Sequence, residues 1–338
     1  MKKERVVVIC PGRGSYTKET LGYLKPHREA LAPFLNQMDE LRAQINEPSL
    51  SELDNTEVFS PNLHTRGEHA SALIYACAFA DFQSIDQDRF EVVAITGNSM
   101  GWYLTLAFAN SLTPRNAFSV IQTMGSMMKQ KIIGGQVIYP VRDAEWKKSS
   151  AIERTVQAAL QTAQASGAVH ISIELGGYLV FGGDSSGLAA LMKALPKVEN
   201  YPFQLINHAA FHTPLLAETS QTAFELLGPE LFSQPTVPMI DGRGKIWNPR
   251  STEVEDLYLY TLGHQVVQPY YFSTAVTVAL KEFAPDKVFL LGPGNSLGGA
   301  IGQILVDNKW LGISSKQDFV EMQKKDPFLI SMGLKPQN

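Results

Sequence analysis

Ser99 lies in Gly97-Asn98-Ser99-Met100-Gly101, a G-x-S-x-G spacing, after the apolar run Val92 to Ile95 and before an apolar stretch that ends at Asn110. A strand that turns this sharply into a helix lifts the serine hydroxyl off the sheet edge, and the glycines allow the bend. The N–H groups opening the helix then face the place where an oxyanion would develop. Ser99 is therefore a candidate nucleophile. A base for it can be sought in INHAAFHTPLL, residues 206 to 216, where His208 and His212 stand four apart and would share one helix face. Zinc is disfavoured there, because Ala209 follows His208 where an H-E-x-x-H motif has its glutamate. We expect no metal site.

Two glycine-rich turns follow β-branched or apolar runs. Arg5 to Cys10 breaks into Pro11-Gly12-Arg13-Gly14-Ser15, and Lys287 to Leu291 breaks into Gly292-Pro293-Gly294-Asn295-Ser296-Leu297. The first lacks the third glycine of a dinucleotide fingerprint. It fits better as a loop whose backbone N–H approaches a reacting centre, and the second fits a strand end near a site.

The elements that must hold these residues alternate between strand and helix. Residues 19 to 47 read as helical, Glu47 to Asn62 as a polar, proline-containing connection, His69 to Phe82 as an apolar helix, and Thr113-Pro114 as the cap of a helix reaching about Lys131. From Gly134 the pattern changes. Strands at Gln136 to Val141, His170 to Leu175, Tyr178 to Gly182 and Tyr201 to Leu205 enclose helices at Ile152 to Gln164 and Ser186 to Leu195. That order, β-α-β-β-α-β, is a ferredoxin-like unit. The expected class is α/β: an α/β-hydrolase-like large domain with a parallel sheet (1–134 and 206–310), a ferredoxin-like insert (135–205), and an unassigned tail (311–338).

Size and composition allow this. The chain has 338 residues, 44% hydrophobic and 18% charged, with a net charge of -4, values of an ordinary globular protein without a bulk electrostatic claim on nucleic acid. Two cysteines, Cys10 and Cys77, are too few for a disulfide framework and fit a reducing compartment. The basic start has only about five apolar residues before Pro11, too few for a signal peptide, and no apolar run approaches the roughly 18 residues of a membrane span. The expectation is a cytoplasmic protein without a membrane partner.

Five stretches, in order, resemble the malonyl-CoA:acyl carrier protein transacylase family, including the acyltransferase domains of fatty acid and polyketide synthases. ICPGRGS resembles the family's FPGQGS, GNSMG its GHSxG, AAFHTPLL its AFHSxxM, QVVQPYYF its Q-x-x-x-P-V-x-W, and LLGPGNSLGG its GPG-x-x-L. The resemblance covers about residues 5 to 305. It implies that Ser99 attacks an acyl-CoA thioester and that His212 takes and returns the proton, oriented by the main-chain carbonyl of Gln265. It implies an oxyanion hole made by the N–H groups of Met100 and Arg13, no bound cofactor, and the phosphopantetheine thiol of an acyl carrier protein as acceptor. Lys129 and Lys131 are candidates for a basic rim toward that acidic partner. A thioester hydrolase on the same scaffold and a non-catalytic docking subunit of a synthase are the rival readings.

Departures from the family pattern bear on the acyl group. Malonyl-specific members place an arginine about 25 residues past the serine to hold the malonyl carboxylate, and Met124 stands there. A thioether cannot pair with a carboxylate, so Met124 argues for an acetyl or other uncharged acyl group, with Met127 and Met128 as further lining. Phe211 keeps the malonyl-type AFH pattern, which favours a small acyl group. Arg13 replaces the loop glutamine and could reach a carboxylate from the opposite wall. Asn98 replaces the histidine that commonly precedes the serine.

Overall fold

In the computed structural model, which describes residues 2–334, Val6, Val7, Val8 and Ile9 are all buried. Successive strand residues point to opposite faces, so both faces of their strand are covered. The strands, in chain order, are β1 (Glu4–Cys10), β2 (Phe90–Gly97), β3 (Gly135–Pro140), β4 (Val169–Leu175), β5 (Tyr178–Gly183), β6 (Phe203–Gln204), β7 (Met239–Ile240), β8 (Ile246–Trp247), β9 (Tyr270–Tyr271), β10 (Lys287–Leu290) and β11 (Leu329–Ser331). They form a six-stranded sheet in the order β11-β10-β1-β2-β7-β8 and a five-stranded sheet in the order β6-β3-β5-β4-β9. Every pairing in the large sheet is parallel except β7 with β8. The large-domain and insert architecture expected for an α/β protein is the one observed.

Within the small sheet, each adjacent pair along β6-β3-β5-β4 is antiparallel, with helices Ser150–Gln164 and Ser185–Ala194 between strands as the ferredoxin-like order requires. The fifth strand, β9, comes from the other part of the chain and pairs parallel to β4. Residues past 310 join the large sheet: β11 pairs with β10, and the Lys316–Lys325 helix sets Phe319 against Trp146, ring centroids 5.6 Å apart.

Some local expectations fail. Residues 19 to 47 are only partly helical, with two short 3-10 turns (Lys18–Thr20, Lys25–His27) before a helix at Ala32–Gln44. Pro26 and Pro33 each sit in a first turn, the place where a missing N–H is harmless, and neither could lie inside a longer helix. The connection from 47 to 62 contains a helix at Leu50–Asp54, opened by a capping box between Ser49 and Glu52. The fourth strand of the small sheet pairs only from Phe203, since Pro202 has no N–H to give. Among the described residues no helix is long and apolar enough to cross a membrane.

Candidate active site

The ends of β1 and β2 lie side by side, with Cys10 paired to Gly97, so the loops that leave them meet. Outside the carboxyl ends of parallel strands is where open α/β sheets hold ligands. Leaving β2, the chain takes Ser99 at φ +55° and enters the Gly101–Phe108 helix at once. A non-glycine residue in this left-handed region is strained. The bend needs Gly101, where a β-carbon would stand 2.5 Å from the Cys10 carbonyl oxygen. The first glycine-rich loop packs as closely on the elbow, because a β-carbon on Gly12 would lie 2.8 Å from the Asn98 carbonyl oxygen. That contact carries the backbone of Arg13 to the elbow. Among the described residues, neither the Met100 N–H nor the Arg13 N–H has an acceptor.

His212 also has a left-handed backbone, at φ +59°, and lies in an irregular segment rather than a helix. The expected helix face shared with His208 is therefore absent; Pro214 opens only a 3-10 turn there. Both rings nevertheless line one cavity with Ser99. His212 Nε2 is 2.7 Å from Ser99 Oγ, and Nδ1 is 2.6 Å from the Gln265 carbonyl oxygen. A carbonyl can only accept, so Nδ1 carries the hydrogen and Nε2 turns its lone pair to the serine hydroxyl.

The spacing between Gln265 and Pro269 explains why this carbonyl is free. In a continuing helix it would accept from the N–H four residues on, but that residue is Pro269, which has none, and the Gln265–Val267 turn ends before it. The Gln265 side chain braces the elbow, donating from Nε2 to the Ser99 carbonyl at 3.2 Å and accepting from the Tyr103 hydroxyl at 3.1 Å. Tyr270 donates from its hydroxyl to the Gly97 carbonyl at 2.6 Å. Tyr103, one helical turn past Ser99, and Tyr270 are supports that sequence reasoning did not single out.

Burial pushes the His212 pKa down to about 4, opposed by the Gln265 carbonyl. The imidazole is thus neutral and able to accept a proton at neutral pH. An unfolded histidine binds its proton near pH 6.5. Folding stability from this group is therefore full above about pH 6.5 and falls as pH drops from there toward 4, by roughly 3 kcal/mol in all. Urea midpoints measured between pH 7 and 4.5 should show this slope, and His212→Asn should reduce it. His208, lowered by burial and by the Arg13 charge, contributes in the same direction.

A cavity of about 240 Å³ opens over Ser99, smaller than drug-sized ligand pockets. Met124 and Phe211 line it with Ile121, but Met127 and Met128 do not, contrary to expectation. The small sheet supplies Gln136, Ile138, Ile173, Leu175 and Val180. Gln136 Oε1 lies 2.9 Å from His208 Nδ1, a polar pair that carries no sequence signal beyond the histidine itself. Asn98 is buried in the wall and its Oδ1 has no partner. Arg13 lines the cavity as well, its guanidinium 5.7 Å from the centre of the Phe211 ring. Lys129 is tied to Glu47 at 2.5 Å, while Lys131 is exposed. Together these groups can activate a serine hydroxyl, receive an oxyanion on two N–H groups and enclose a short acyl chain.

No protein-family model and no curated protein sequence matches the chain. Solved structures do. The malonyl-CoA:acyl carrier protein transacylase of Xanthomonas oryzae pv. oryzae superposes with a TM-score of 0.72 at 20% identity, over 90% of this chain and 92% of that one. The corresponding enzyme of Streptococcus pneumoniae gives 0.70 at 19% identity, over 95% and 99%. A malonyl-transacylase solved in complex with its type II polyketide acyl carrier protein gives 0.72 at 17% identity, over 90% and 93%. The chain has the fold of these transacylases.

Proposed function

We propose that this chain moves an acyl group from acyl-CoA to the phosphopantetheine thiol of an acyl carrier protein through an ester on Ser99. The observation that carries this reading is the Ser99 Oγ to His212 Nε2 contact of 2.7 Å, with the ring tautomer set by the Gln265 carbonyl. As Ser99 Oγ attacks the thioester carbon, its proton passes to His212 Nε2, and the oxyanion is met by the N–H groups of Met100 and Arg13. Collapse breaks the carbon–sulfur bond, and His212 returns the proton to the departing CoA thiolate. The carrier thiol then gives its proton to His212 and attacks the ester, and Ser99 leaves with that proton. An imidazolium formed twice per cycle is held each time by a carbonyl rather than by a carboxylate. Met124 by itself offers no partner to a charged acyl group, which alone would suit an uncharged one such as acetyl; Arg13, a cation, lines the same cavity.

Intact mass spectrometry after mixing with an acyl-CoA, followed by addition of carrier protein bearing phosphopantetheine, tests the scheme. We expect one acyl mass on the Ser99 peptide, then its transfer to the carrier. Release of the free acid without acyl-carrier product would make the protein a hydrolase. Absence of acylation by every acyl-CoA, in folded protein, would make it a docking subunit.

A further inference from the structure

Among the described residues, Arg13 is the only lysine or arginine lining the acyl cavity, whose other walls are largely apolar. Its Nη2 donates to two main-chain carbonyls, those of Asn207 and Thr65. These bonds fix the fork in place but leave its charge unmatched. Nε and Nη1 have no bonded acceptor among the described residues, and neither is sealed from open space. Nη1 sits beside Gly67, 3.4 Å from where a β-carbon on that residue would stand, next to the Gly125 main chain. Gly125 follows Met124, so the guanidinium lies beside the stretch of helix that carries that thioether.

The carboxylate whose charge acts on it, Glu68, is already engaged elsewhere. Glu68 Oε1 already accepts from Arg66 Nε at 2.7 Å. Loss of hydration lowers the Arg13 pKa to about 10 against the raising influence of Glu68, so the group stays charged at neutral pH. Closing a purely apolar acyl chain against a charged fork with open donors removes its remaining water and gives nothing back. A carboxylate, planar and able to accept two parallel N–H bonds, is the chemical match. A cavity of about 240 Å³ limits the chain that carries it to a short one.

We infer that Arg13, from the loop after β1, is the specificity residue for the acyl group, and that the group is a short acyl chain ending in a carboxylate. This rests on the acyl-Ser99 reading above and replaces the preference for an uncharged acyl group that Met124 alone suggests. The Arg13 backbone N–H belongs to the oxyanion hole, so one residue would hold the two ends of the acyl group, carbonyl oxygen by its main chain and carboxylate by its side chain.

The test compares initial rates of Ser99 acylation by malonyl-CoA and by acetyl-CoA. Wild-type protein should load malonyl faster. In Arg13→Gln, which keeps the backbone N–H, the malonyl-to-acetyl rate ratio should fall on the order of 100-fold, as for loss of a charge-assisted pair. Adding Met124→Arg to that variant should restore part of the ratio from the neighbouring helix. Arg13→Lys, which keeps the charge without the fork, should fall in between and serves if the glutamine variant does not fold. Wild-type loading of acetyl as fast as malonyl, or an equal loss for both donors in Arg13→Gln, would overturn the inference. Acylation by neither donor or by any other acyl-CoA would instead remove the acyl-Ser99 reading beneath it.

Discussion

With Ser99 replaced by alanine, no acyl mass should accumulate on the protein from any acyl-CoA, and turnover should fall by at least about 10⁴-fold. The substitution removes the attacking atom and leaves the oxyanion donors and His212 in place, so what remains is binding without covalent chemistry. Retention of turnover would mean that a different group attacks. Stability separates this position from an ordinary surface serine. At φ +55° a β-carbon costs about 1 kcal/mol or more relative to glycine. Ser99→Gly should therefore be as inactive as Ser99→Ala yet unfold at a higher urea concentration, by about 1 kcal/mol. That ordering would show that the elbow carries strain for the sake of the hydroxyl.

Arg42→Ala should destabilise the protein by about 3–5 kcal/mol, the range for breaking a buried charge network with a cavity left behind. Arg42 is wholly buried. Its Nε donates to the Pro48 carbonyl at 2.5 Å, and its Nη1 to the Glu68 carbonyl at 2.9 Å and to Gln122 Oε1 at 2.8 Å. Nη2 lies 3.8 Å from the Glu47 carboxylate, which also takes His69 and Lys129. Removing the fork takes the donor from three acceptors at once and one cation from Glu47, which keeps His69 and Lys129. Arg42→Lys keeps the charge but cannot donate in three directions from a plane, so it should recover less than half of the loss. Denaturation midpoints measure both; a loss under about 1 kcal/mol for the alanine variant would show that water replaces the fork.

Gln122 and Glu68, the residues Arg42 holds, sit on the helices that carry Met124 and face Arg13. Nothing in the sequence marks Arg42, because a buried arginine and an exposed one read alike until partners that lie far away in the chain are brought together. The same holds for Gln136, which meets His208 across 72 positions of chain. Local signals did better. The glycine spacing around Ser99 followed from what a tight elbow needs, whereas the Gln265 carbonyl came only from the family resemblance, and the structure supplies its reason, an acceptor whose helical donor Pro269 lacks. The helices at Gly67–Gln83 and Pro114–Ser126 lie within a few residues of where apolar runs and a Thr-Pro cap put them. Residues 19 to 47 break up where Pro26 and Pro33 each confine a helix start to its own first turn. The shared helix face of His208 and His212 failed because a spacing of four was taken as helical where the backbone turns left-handed at His212. The acyl group was least legible: Met124 could be read from its position, but where a long side chain such as Arg13 ends is decided by the whole fold.

The wall that the small sheet lends to the cavity divides the molecule's labour. Ser99, His212 and the Gln265 carbonyl all belong to the part of the chain built on the large sheet, whereas Ile138, Ile173, Leu175 and Val180 stand on β3, β4 and β5. The width of the cavity therefore rests on a different support from the proton-transfer path, while Arg13, on the loop after β1, shares the support of Ser99. Apolar side chains on the small sheet can be exchanged to admit a longer or bulkier acyl group while Ser99, His212 and Gln265 themselves stay unchanged.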